Sequence, residues 1–172
     1  GAEPYSYNNK TQSPSNVNWV GNYYKYGPAT KSGLRYKIFE VSNPENVSPY
    51  SRFYFNDNFV YGSAAVTENN WSGVQNAAQA EQLDEPIDMG KYSINGTSAE
   101  EAYDYVLNNA GATLPKRDAI DARIIDDVRN GTGRIVNNAD EVGGLIPQQT
   151  VRKTFEIPEE WKAENNMGNA KE

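Results

Sequence analysis

A mainly β fold is predicted, with a coiled β-solenoid favoured over a sandwich and short helices toward the C-terminal end. Three observations carry it. Short aromatic and β-branched runs between residues 17 and 63 are separated by Gly27-Pro28, Asn43-Pro44 and Ser48-Pro49, the punctuation of strands. Two stretches echo each other, Val20-Gly21-Asn22-Tyr23-Tyr24 and Asn56-Asp57-Asn58-Phe59-Val60-Tyr61, each placing Asn before a pair of aromatic or aromatic and aliphatic residues. Asn tolerates the left-handed backbone of tight corners, which suits a coiled stack of short strands better than a flat meander. A sandwich stays open as the alternative.

In chain order, residues 1–16 are Asn, Ser, Gln, Tyr and Pro without periodicity, which reads as a loop or an incomplete strand. The strand runs are Val17-Asn18-Trp19-Val20, Arg35-Tyr36-Lys37-Ile38-Phe39-Glu40-Val41 and Arg52-Phe53-Tyr54-Phe55. Residues 64–96 are polar and rich in Ala, Gln and Asn, predicting a long surface excursion. A helix follows with full punctuation: Ser98 and Glu101 form a capping box, Tyr103, Val106, Leu107 and Ala110 make an apolar stripe, and Gly111 closes it. A second helix starts at Asp118, carries Ile120, Ile124, Ile125 and Val128, and stops at Asn130-Gly131. Isolated helices of this length are marginal in water, so both are expected to lie against the strand region. Pro158 with Glu159, Glu160 and Trp161 predicts a last short helix, and residues 165–172 are expected to fray.

With 172 residues the chain is about one domain's worth, and 37% hydrophobic residues predict a small or elongated core. No apolar run approaches a membrane span. There is no Cys and no His, which excludes disulfides, thiolate or imidazole metal sites, and His-dependent nucleophile systems. The net charge of −7 is uneven: residues 1–62 hold six Lys/Arg against four Asp/Glu, and the rest hold ten against nineteen. Acidity in the second half argues against nucleic acid and anionic membranes as partners, so an anionic ligand should meet the first half. The opening Gly1-Ala2-Glu3 lacks Met, and a start made by processing, cloning or cleavage is expected.

Several motifs read as ordinary structure. Gly27-Pro28-Ala29-Thr30-Lys31-Ser32 misses the phosphate-loop spacing, and Pro28 removes a backbone donor. Gly131-Thr132-Gly133 follows a helix, where a helix stop explains it. The acidic pairs Glu100-Glu101, Asp118/Asp121 and Asp126-Asp127 fall on helix first turns or solvated faces. The suggestive group is Lys25, Lys31, Arg35, Lys37 and Arg52, interleaved with Tyr23, Tyr24, Tyr26 and Tyr36, in the positive half. Sugars bind through aromatic faces, and Arg clamps a uronate carboxylate. Lys25, Lys31, Arg35, Tyr36 and Lys37 are the candidate substrate-binding residues. The plainer account is strand alternation, with Arg35 and Lys37 turned to solvent and Tyr36 and Ile38 inward.

Four separated blocks carry a resemblance: Tyr23-Tyr24-Lys25-Tyr26-Gly27-Pro28-Ala29-Thr30-Lys31-Ser32-Gly33-Leu34-Arg35-Tyr36; Phe55-Asn56-Asp57-Asn58-Phe59-Val60-Tyr61-Gly62-Ser63; Ala102-Tyr103-Asp104-Tyr105-Val106-Leu107 through Gly111-Ala112-Thr113-Leu114-Pro115-Lys116-Arg117-Asp118; and Val128-Arg129-Asn130-Gly131-Thr132-Gly133. In order and spacing, across roughly residues 16–167, they resemble the C-terminal part of Bacteroidetes pectate lyases of polysaccharide lyase family 1. The resemblance implies the C-terminal turns of a right-handed parallel β-helix over residues 1–63, the surface excursion of 64–96, and a helical and extended C-terminal cap over 97–172. It also implies a secreted, periplasmic or cell-surface location and calcium-assisted β-elimination of polygalacturonate. The N-terminal β-helix part of the same parent protein is then the expected partner, with acidic polysaccharide as the ligand.

The departures bound this expectation. In the family, the calcium-holding aspartates and the proton-abstracting arginine lie upstream of the matching segment, so no catalytic residue and no metal ligand is assigned within this chain. Calcium is expected in the parent enzyme only. Relatives often place an Asp-rich calcium loop before a Pro-x-x-Trp segment, where this chain has Val151-Arg152-Lys153-Thr154-Phe155-Glu156 before Pro158-Glu159-Glu160-Trp161. A noncatalytic module that binds acidic glycans or another protein through the Tyr/Lys/Arg face is the alternative.

Overall fold

A computed structural model describes residues 14–41, 50–93, 96–145 and Glu156. In chain order these form β1 (Asn16–Val20), β2 (Tyr23–Tyr24), β3 (Phe39–Glu40), β4 (Arg52–Asn56), β5 (Phe59–Val60), α1 (Ala64–Glu68), β6 (Val74–Gln75), β7 (Glu81–Gln82), α2 (Ala99–Asn109) and α3 (Ala119–Asn130). The turns at Asn43-Pro44 and Ser48-Pro49, the first thirteen residues, the helix expected at Pro158 and the end at 165–172 lie outside the described residues.

Among the described residues every strand pairing is parallel, and the strands pair with those three further along: β1-β4-β7, β2-β5 and β3-β6. The sequence echo is the register itself, with Val20 opposite Asn56 and Tyr23 opposite Phe59. The corner between the paired segments uses left-handed Gly21 (φ +70°) and Asp57 (φ +54°), one residue before each echoed asparagine. Asn22 and Asn58 contribute side chains instead: the Asn58 Oδ1 accepts the Asn22 backbone N–H at 3.0 Å and its Nδ2 at 2.9 Å. Corner asparagines were expected for their backbone tolerance; their amides are what these two supply.

The expected turns of a right-handed parallel β-helix are not what the described residues build. The strands stand in three separate parallel sheets of two or three strands, with no closed or solenoid sheet, and the α-helices hold more residues than the strands, so the fold is not mainly β either. The physical reason lies in what interrupts the aromatic runs. Of the run Arg35–Val41 only Phe39–Glu40 is a strand, because Ser32–Leu34 form a 3-10 turn that carries the chain through Arg35 and Tyr36. After β5, Ser63 caps α1 by accepting the Val66 N–H, and the chain coils where a strand would have lengthened the sheet.

The core sits where the sheets face one another. Ile38, Phe39, Val41, Phe53, Phe55, Val60 and Val74 are buried, with Trp19 and Trp71 closing its sides. Phe39 lies 5.2 Å from Trp19 and 5.0 Å from Phe53, ring to ring, in the edge and tilted geometries that aromatic quadrupoles favour. Gly73 is required here: a Cβ would stand 2.6 Å from Val66 Cγ1 and 3.0 Å from the Tyr36 carbonyl oxygen. A polar seam crosses this core without leaving a donor stranded. The Asn58 Nδ2 donates to the Trp19 carbonyl and to Asn70 Oδ1, and the Asn70 Nδ2 donates to the carbonyls of Asn58, Val66 and Thr67.

Residues 64–93, read as surface, thus supply buried Asn70 and Val74 and two paired strands. Past β7 the chain is tied back by Asn18, whose Nδ2 donates to the Ile87 carbonyl and whose Oδ1 accepts the Ile87 N–H, both at 2.8 Å.

Both long helices start and stop as their caps dictate. Ser98 and Glu101 exchange the two bonds of a capping box, and Asp118 Oδ1 accepts the N–H groups of Ile120 and Asp121. Gly131, at φ +67°, ends α3. α2 docks on β2 through Tyr103, stacked 4.2 Å from Tyr23, and buries Leu107, 4% exposed. The expected stripe is narrower than predicted, because Val106 is 52% exposed and Ala110 is exposed as well. The seated row is Ala99, Tyr103 and Leu107, spaced i, i+4 and i+8, and Val106 lies beside it at the solvent edge. In α3 no residue is buried, and Ile124 and Val128 remain 46% and 39% exposed.

Candidate functional site

Lys25 immediately follows β2, and four parts of the chain meet at its ammonium. The Nζ donates to the carbonyls of Val128 at 2.6 Å and Arg129 at 2.8 Å and to the Tyr103 hydroxyl at 3.2 Å, which uses all three protons. The same nitrogen lies 5.1 Å from the centroid of Tyr61 and 5.5 Å from that of Tyr103. The carbonyls are among the last four of α3, where backbone acceptors are left over and the helix dipole is negative, so a lysine here serves as a C-terminal cap. Beside it Tyr23 is stacked between Phe59 and Tyr103. Burial, reinforced by Tyr103, Tyr61, Glu100 and Asp104, raises the Tyr23 phenol above the usual tyrosine range. The Tyr24 phenol is also raised by burial, against the opposing effect of a hydrogen bond from the Trp19 indole N–H.

A second group is exposed. The Arg35 guanidinium lies 4.9 Å over the Tyr26 ring, and Tyr26 meets Tyr36 edge-on at 6.1 Å and Tyr61 at 5.7 Å. Gly62, at φ +81°, leaves room for this cluster, since a Cβ there would come within 3.3 Å of the Tyr26 ring. Arg35, Tyr36 and Tyr61 are open to solvent.

Of the five candidate residues, Arg35 and Tyr36 therefore stand together around Tyr26, and Lys25 adjoins them through Tyr61. Lys31 is exposed at the start of the 3-10 turn. Lys37 is drawn elsewhere, its side chain only 9% exposed and bound to Glu40 at 2.8 Å. The alternation account holds at exposed Arg35 and buried Ile38 and fails at Tyr36, which is exposed in a turn, and at Lys37, which is largely buried. Arg52 is on β4, donating to Asn16 Oδ1.

Between the Lys25–Thr30 loop and α3 with residues 131–136 lies a cleft of about 630 Å³. Its walls hold Arg123, Asp127 and Arg134, none of which the sequence singled out for binding. The only advance signal was the helical spacing of Arg123 and Asp127, which pair at 3.1 Å.

Among the described residues no group of three or more carboxylates comes together that could hold a metal ion. Among the same residues no helix is long and apolar enough to cross a membrane. No protein-family model matches the chain, and no curated protein matches it.

Proposed function

We propose that this chain is a noncatalytic part of a pectate lyase-like polysaccharide lyase, secreted or at the cell surface, whose calcium and proton-abstracting groups belong to the rest of the parent protein. The observation that supports it is the meeting at Lys25. The four blocks that carry the resemblance are far apart in sequence, yet Lys25, Tyr61, Tyr103 and the Val128–Arg129 carbonyls, one contribution from each block, touch the same ammonium. A chance likeness in four unrelated loops has no reason to converge on one side chain. The outer edge of β1, which carries no strand among the described residues, is where the rest of the parent would add its own.

The test is to express the longest reading frame that contains this chain and give it polygalacturonate and calcium. Ultraviolet absorbance from unsaturated uronide is expected from the long product and none from this chain alone. An inactive, folded long product would refute the proposal, and so would chelator-sensitive activity of the chain alone.

The glycan-binding alternative has an observation of its own, the exposed Arg35 and Tyr36 beside half-buried Tyr26. Retention of the chain on immobilised polygalacturonate, lost in Arg35→Ala with Tyr36→Ala, would favour it.

A further inference from the structure

Residues 118–145 hold on to one another more than to the rest of the molecule. Asp118 caps α3, the Thr132 hydroxyl donates to Asp127, and beyond them Arg134 and Asn137 both donate to Glu141, so the hydrogen bonds of this stretch run almost wholly within it. Among the described residues two side chains outside the stretch join it by hydrogen bond. One is Lys25, through the Val128 and Arg129 carbonyls; the other is Asn108, whose Oδ1 accepts from Arg129 Nη2 at 2.9 Å.

Burial tells the same story. No residue between 118 and 145 is buried, and Ile124, Ile135 and Leu145 stay 46%, 83% and 80% exposed, so little apolar area holds the stretch down. α2 is the contrast: Ala99 and Leu107 are buried, and Tyr103 is stacked on Tyr23. Between the two helices the chain passes through Gly111, at φ +83°, and Leu114, 90% exposed.

We propose that residues 118–145 form an arm that opens from the body as one unit while the strands and α2 stay folded, with the Lys25 ammonium as its latch. Segments with few buried apolar contacts occupy the low-stability end of a structure, and a stretch whose bonds are internal opens together rather than piecemeal. Opening returns two of the three Lys25 protons to solvent and leaves the ammonium to Tyr61 and Tyr103, so the arm sets access to this cation. The inference does not rest on the lyase proposal and survives its failure.

Native-state hydrogen exchange of the whole chain, read amide by amide by NMR, tests it. The α3 amides from Arg123 to Asn130 should share one protection value, at least about tenfold below that of the β4 amides. Val74→Ala weakens the core away from the arm and should lower β4 protection about tenfold or more while leaving α3 unchanged. Low urea makes the same comparison should that variant fail to fold. Lys25→Met should lower α3 protection about tenfold or more. The proposal is overturned by α3 amides as protected as β4, by α3 protection that falls with β4 in Val74→Ala or urea, or by values graded from the middle of α3 to its ends, which is fraying. Unchanged α3 protection in Lys25→Met, or no α3 protection in the unsubstituted chain, overturns it as well. So does a Lys25→Met chain that does not fold, since the arm has to leave the body standing.

Discussion

Replacing Lys25 by Met keeps most of the unbranched side chain and removes its charged end, which isolates what the ammonium does. Three contributions are lost: charge-assisted hydrogen bonds to the Val128 and Arg129 carbonyls, the favourable placement at the α3 C-terminus, and the contacts with the Tyr61 and Tyr103 rings. Hydrogen bonds to charged groups are worth about 1.5–3 kcal/mol each, dipole placement about 0.3–1, and a partly exposed cation over a ring about 0.5–1. These share one ammonium and do not add, and Val128 and Arg129 are exposed, so water takes over their carbonyls. The expected loss is about 2 kcal/mol. Urea titrations followed by far-ultraviolet circular dichroism measure it, with Lys31→Met as the control; that exposed lysine should change stability by no more than about 0.5 kcal/mol. The difference between the variants should shrink in molar salt. If Lys25→Met and Lys31→Met coincide within about 0.5 kcal/mol, the ammonium is not the tie that holds α3, and the reasoning is refuted.

Leu107→Ala should destabilise by about 2–4 kcal/mol and Val106→Ala by under about 1 in the same titration, and a reversed order would mean that α2 docks on another face. Gly73→Ala should cost several kcal/mol or abolish folding, because the new methyl meets Val66 and the Tyr36 carbonyl; a thermal midpoint like the parent's would show that this corner yields. The raised phenols of Tyr23 and Tyr24 have folded pKa values above their unfolded ones. They therefore contribute stability in full below about pH 10 and lose it as pH rises through the folded values. Phenolate absorbance should show a late-titrating class, and a single class at the ordinary tyrosine value would count against the burial argument.

How much of this could be read in advance depends on how local the cause is. α2 and α3 were legible to within a residue or two because Ser98, Glu101, Asp118 and Gly131 act on backbone groups a few residues away. The echo of Val20–Tyr24 in Asn56–Tyr61 was legible as a repeat, and the structure turns it into register. The sheet sizes were not legible, since an aromatic run such as Arg35–Val41 carries the same period-2 signal whether or not a neighbour pairs with it. Lys25 illustrates the same limit for the site. It was picked out as a cation among tyrosines, but its acceptors lie up to 104 residues away, and nothing local to residue 25 announces them. Arg123 was missed because the burial of its Nε is a property of packing.

The parallel pairing of each strand with its third successor sets how this chain must fold. Among the described residues no two neighbouring strands form a hairpin; β1 finds β4, and β2 finds β5, 36 residues along. Each pair therefore closes a long loop before its contacts return anything, and the search entropy is met several times over. The capped helices can form within microseconds, but they have no surface to dock on until Tyr23 has been placed beside Phe59. Folding should accordingly be slow for a chain of this size, with early helical signal and late fluorescence change from Trp19 and Trp71. During that interval the exposed strand edges are open to neighbouring molecules, so refolding yield should fall as protein concentration rises.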